Sequence, residues 1–164
     1  RSVIVPLAVF SLLLIYAACS DIARLIIPNW VSIALAAAFP VAALASGASL
    51  AQIGIHLLLG AAVLAVGFFL FAGNIIGGGD AKLAAATATW TGLGAFAPFM
   101  FWTAASGGVM ALMLLAARQF VKQAETNPPF VNRLLKEQNG IPYGVAIMFG
   151  GLMAIPQIMV VLGR

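Results

Sequence analysis

Of the 164 residues, 63% are hydrophobic and only 7% charged, and a mean hydropathy of +1.12 excludes an ordinary soluble domain. Eight Lys and Arg against four Asp and Glu leave a net charge of +4, too few charges for a nucleic-acid surface, so no nucleic-acid partner is expected. The lone cysteine, Cys19, excludes an internal disulfide and a multi-cysteine zinc site.

Apolar stretches approaching the roughly 20 residues that cross a bilayer core fall at residues 3–19, 30–46, 53–72, 81 to about 96, 99–117 and 142–162. They use up most of the chain. The expected fold class is therefore an all-α polytopic membrane protein of about six transmembrane helices, a single integral membrane domain over residues 1–164.

The first stretch ends at Cys19, expected in the core, and is followed by Asp21 and Arg24. Pro28-Asn29 suits the first turn of the second helix. Tyr16 and Trp30 fit an aromatic belt at one membrane face, with Trp90 and Trp102 expected at the other. His56, toward the outer half of the third helix, is expected to be structural. Gly77, Gly78 and Gly79 run into Asp80 and Lys82 at the start of the fourth helix. The fifth helix leads into the longest loop, where Phe130, Val131, Leu134 and Leu135 recur at helical spacing beside Asn132, Arg133, Lys136 and Glu137. That pattern predicts an amphipathic surface helix resting on anionic headgroups, so membrane lipid is an expected partner.

Positive loops stay cytoplasmic. Arg24, Lys82, Arg118, Lys122, Arg133 and Lys136 all fall in alternate loops, whereas "SGASLAQ" and "TGLGAFAP" carry no charge. Both termini are therefore expected on the non-cytoplasmic side.

Asp21 and Asp80 are the only acidic residues outside the long loop, and this topology puts both at the cytoplasmic edge. Ordinary structural roles exist for each: an N-cap for Asp80 and an i, i+3 pair with Arg24 for Asp21. Three glycines before Asp80 exceed what a helix stop needs, and they clear side chains from around a carboxylate so that an extended backbone can approach. Gly77-x-Gly79-Asp80 is the GxGD pattern of membrane-embedded aspartyl proteases.

With "CSDIARLIIPNW" after the first helix, "GGGDAKL" at the fourth and "IPYGVAI" opening the sixth, the chain resembles the type IV prepilin peptidases, in particular the short branch associated with Flp/Tad-type pili. The resemblance implies a peptidase of the inner (cytoplasmic) membrane that removes the positive leader from prepilin-like proteins just after a glycine, with Asp21 and Asp80 as catalytic pair. Gly77, Gly78, Gly79, Pro142, Tyr143 and Gly144 are candidate substrate-binding residues, and Lys82 and Asn29 candidate supporting ones. Longer members carry a cysteine-rich loop and also methylate the new N-terminus. No such loop stands here, so no metal site or other cofactor is expected, and methylation is left open. Signal peptide peptidases and presenilins share GxGD, but a tyrosine precedes their first aspartate where Ser20 stands in this sequence.

The chemistry follows from the residue types. Two carboxylates held together share a proton; the ionised one takes a proton from water, and the protonated one hydrogen-bonds the peptide carbonyl. The alternative function is a proton- or cation-coupled carrier using the same aspartates, although carriers tend to show internal repeats and midplane sites. Cognate pilin and oligomeric state are not legible in the sequence.

Overall fold

The computed structural model describes residues 3–121, 126–136 and 139–162. These form seven helices and no strand: α1 (Ile4–Arg24), α2 (Asn29–Ser46), α3 (Leu50–Ala72), α4 (Gly78–Phe120), α5 (Pro129–Leu135), α6 (Tyr143–Met153) and α7 (Ile155–Leu162). Helices α1 to α4 are each long and apolar enough to cross a membrane, and α6 with α7 makes a fifth such unit, bent by 52°. The bend follows from Pro156, which has no N–H to give to the preceding turn and crowds the carbonyl four residues back.

α4 departs from expectation. At 43 residues and 1.5 Å per residue it would be about 65 Å long if straight, twice a bilayer core. The sequence places an uncharged loop at residues 91–98, where Gly92, Gly94 and Pro98 blur the end of the fourth helix. The break lies within that stretch at Gly92, whose φ of 57° and ψ of −174° interrupt the helix, while Pro98 stays inside the helix beyond it. Only glycine adopts that conformation without a Cβ penalty. The first arm (78–91) lies against α3, where Gly60 abuts Thr89 and Gly67 abuts Ala81. The second arm (93–120) lies against α6, where Gly150 abuts Phe99 and Thr103. Close approach at small residues is how helices pack in an apolar solvent. Ala84 of the first arm and Phe99, Met100 and Thr103 of the second line one cavity, so the arms fold back toward each other.

The core sits between α1, α2 and the first arm. Trp90 is fully buried, packs on Phe10 at 5.0 Å and edge-on to Phe39 at 5.8 Å, and donates its indole N–H to Leu35 O at 2.8 Å. It is thus a core residue and not a belt one; the backbone carbonyl supplies the partner that the water interface was expected to give. Tyr16 and Trp30 are exposed and in ring contact at 5.1 Å, whereas Trp102 packs on Phe149 at 6.0 Å.

Cys19 also moves. The buried stripe of α1 runs through Leu7, Phe10, Leu14, Ala17 and Asp21, and at 100° per residue Cys19 falls on the opposite, exposed face. His56 is half-buried and joins α2 to the first arm of α4. It stacks on Phe39 at 4.8 Å and its Nδ1 lies 2.8 Å from Thr89 O, a carbonyl whose helical partner would sit just beyond the Gly92 break.

α5 forms where a surface helix is expected, with Leu135 buried. Its polar side is turned partly into the bundle: Arg133 donates to Ala23 O, and Arg118 donates to Leu134 O at 3.0 Å and Asn139 O at 2.9 Å. Lys122 and Glu137 lie outside the described residues.

Candidate active site

Helix ends of three elements converge at one end of the bundle. α1 runs past Cys19 to Arg24, which places Asp21 inside its last turn. The turn that follows is closed by Leu25 in the left-handed region at φ 54° and by Ser20 Oγ, which donates to Ile26 O at 2.7 Å. Arg24 is spent on Ser20 Oγ at 3.2 Å and does not pair with Asp21. Asp21 is 5% exposed. Its Oδ2 accepts the Gly144 backbone N–H, in the first turn of α6, at 2.8 Å.

Asp80 is the third residue of α4, not its N-cap. Its carboxylate turns back toward Gly77, which holds the cap position. Asp21 and Asp80 together line a cavity of about 230 Å³ with Asn29, Ile27 and Gly77.

The glycines divide by role. A Cβ on Gly77 would fall 2.7 Å from Asp80 Oδ2, and Gly77 is exposed. Gly78 faces the Phe71 ring, 3.3 Å from where its Cβ would be, and Gly79 faces Ile27 Cβ at 3.2 Å. The space beside Gly78 and Gly79 is thus taken up by helix packing. A Cβ on Gly144 would meet Asp21 Oδ2 at 2.8 Å and Ile27 Cδ1 at 3.0 Å. Ile27 therefore wedges between α4 and α6 at two glycines.

The other candidates scatter around this centre. Tyr143 lines a second, apolar cavity of about 520 Å³ that opens from Asp80 between α3, α6 and the two arms of α4. Pro142 is buried in a different groove, beside Ile22 and Leu134. Lys82 is exposed and donates to Asn29 Oδ1 at 2.9 Å, tying α4 to α2. Ile27 and Ser20 support the site without having been singled out in the sequence. An isoleucine packing against two remote glycines has no local signature; a serine one residue before an aspartate at a helix end could have been read as a turn-closing hydroxyl.

A search among curated proteins finds no match, and neither does one among solved structures. The model of the type IV leader peptidase family matches residues 8–112, a span holding Asp21, the three glycines and Asp80 and ending before Gly144. Several helices long and apolar enough to span a membrane accompany that match. With well over half of its length matched, the chain belongs to the type IV leader peptidase family, membrane proteases whose substrates are prepilin-like proteins.

Proposed function

We propose that the chain is a GxGD aspartyl endopeptidase of the cytoplasmic membrane that removes the leader from a prepilin-like protein, serving type IV pilus assembly and secretion, with Asp21 and Asp80 as the catalytic pair. The observation that carries this is the shared cavity: the two carboxylates line one small space at the end of the bundle. In the mechanism, the ionised carboxylate accepts a proton from water and the resulting oxygen nucleophile attacks the scissile carbonyl carbon. The protonated carboxyl hydrogen-bonds the carbonyl oxygen as negative charge develops there. Collapse of the tetrahedral species breaks the C–N bond, and the leaving amine takes up a proton from the pair. The Gly144 N–H on Asp21 Oδ2 leaves the other oxygen of that carboxylate for water.

The exposed Gly77 and Tyr143 flank Asp80 from two sides and are assigned to the substrate backbone, with Gly78, Gly79 and Gly144 shaping the walls. Lys82 and Asn29 bridge α4 and α2 beside the pair.

Counting each arm of α4 and the bent α6–α7 unit as one crossing gives six crossings in one membrane domain, both termini outside. Helix-end aspartates at one membrane face suit a protease that meets its substrate there, and not a carrier, whose ion sites lie near the midplane. The test is co-expression with a candidate prepilin. A leader-sized shift of the pilin on a gel supports the proposal, and an unshifted pilin in the presence of folded protein refutes it.

A further inference from the structure

α2 and α3 are consecutive yet barely touch. Between them and the first arm of α4 lies a cleft of about 520 Å³, apolar along Ala36 and Leu57, with Gly60 set against Thr89 beside it. Two polar features interrupt that lining. Lys82 and Asn29 stand at its mouth, Nζ to Oδ1 at 2.9 Å, so the ammonium keeps two of its three N–H groups for another acceptor. Three residues along α2, about 4.5 Å deeper, Ser32 lines the same cleft, 7% exposed, its hydroxyl buried and without a hydrogen-bond partner. A buried hydroxyl in apolar surroundings is costly unless something accepts from it or donates to it. No acidic side chain lines the cleft.

We propose that this cleft is a binding site for one anionic phospholipid. The phosphate sits on Lys82, an ester carbonyl accepts from Ser32 Oγ one helical turn below, and the acyl chain runs down between Ala36 and Leu57. Cation, hydroxyl and hydrocarbon lining follow one another in the order that phosphate, ester and tail follow one another in the lipid. A protein helix, about 10 Å across, needs neither the cation nor the hydroxyl. Asn29 lines both this cleft and the aspartate cavity, so a headgroup drawn to Lys82 stands one side chain away from Asp21 and Asp80. The binding site does not depend on the peptidase proposal, because occupancy and cleavage are read separately.

The experiment is native mass spectrometry of the full chain released from detergent carrying equal amounts of phosphatidylglycerol and phosphatidylcholine with the same acyl chains. One phosphatidylglycerol should be retained in preference. Lys82→Gln should cut that preference about fivefold, the weight of one cation near an anionic surface. Ala36→Phe should expel lipid of either headgroup by filling the cleft. Should that variant not fold, phosphatidylglycerol with a photoreactive acyl chain should label the wild type on α2 and α3. Equal retention of the two lipids by the wild type, an unchanged preference in Lys82→Gln, labelling confined to other helices, or a cross-link between two copies at the cleft would each overturn the proposal.

Discussion

The backbone N–H of Gly144 reaches Asp21 Oδ2 at 2.8 Å across 123 positions of the chain. One side chain at the end of α1 is thereby held by the first turn of α6, with Ile27 pressed between. Any Cβ at position 144 would have to displace the carboxylate.

Gly144→Ala is therefore expected to reduce cleavage by about 10²-fold, the cost of moving a reacting group by roughly an ångström, with kcat affected more than KM. Its stability loss should stay within the roughly 1–3 kcal/mol usual for overpacking. Kinetics on purified protein beside a thermal melt check this; a fully active variant would show that the contact with Asp21 is dispensable.

A second prediction concerns the far end of the first arm. At Gly92, with φ at 57°, a Cβ would also meet the His56 ring at 2.3 Å. Gly92→Ala should destabilise the fold strongly, by strain and collision together. His56→Ala should cost about 1–3 kcal/mol, because it strips Thr89 O of the imidazole at 2.8 Å. His56 stands 24 residues before Asp80, and the cavity it lines holds neither aspartate, so the residual folded His56→Ala protein should cleave at close to the wild-type rate. A large kcat loss in that folded fraction would tie the outer end of the bundle to the site.

Cys19 lies on the exposed face of α1, two residues from Asp21 and pointing away from its buried stripe. Cys19→Ser should leave cleavage unchanged, and a membrane-permeant thiol reagent should label the wild type without inhibiting it. Inhibition by labelling would mean that this face of α1 meets the substrate.

Much of the helix inventory was legible because transmembrane length and hydropathy are local properties. α2, α3 and the start of α6 fall within a few residues of expectation. What escaped depends on partners distant in sequence. Trp90 resembles a belt tryptophan until Leu35 O is seen to accept its N–H inside the core. The break in α4 falls inside the uncharged stretch 91–98 that the sequence offers as a loop, but which of Gly92, Gly94 and Pro98 makes it was not legible: membrane helices tolerate an internal proline, and the chain turns where only Gly92 can. The motif glycines could be read as space around Asp80; that Phe71 and Ile27 fill the room beside Gly78 and Gly79 is a fact of packing alone. Asp80 and Asp21 could be paired from topology, whereas the Gly144 contact could not.

The decisive prediction concerns Asp21 and Asp80 as a unit. They are the only carboxylates among the described residues, and they share one cavity of about 230 Å³. If they share one proton and activate one water, removing either ends the reaction. Asp21→Asn and Asp80→Asn should each lower kcat by at least about 10³-fold, within the range of a lost general acid or base. The double variant should be no worse, since groups acting together are not additive. The amide at position 21 can still accept the Gly144 N–H, and both amides keep the carboxylate's shape, so both variants should insert and melt like the wild type. That separates a catalytic pair from two helix-end residues with structural duties, for which the amides would stay active and the effects would add. The wild-type pH profile should be bell-shaped, because the singly protonated pair is the active form. Its two limbs belong to the pair and not to either residue. Each single variant should lose the bell along with the rate. Substantial cleavage by either folded variant, scored on a genuine prepilin, would remove Asp21 and Asp80 from the chemistry.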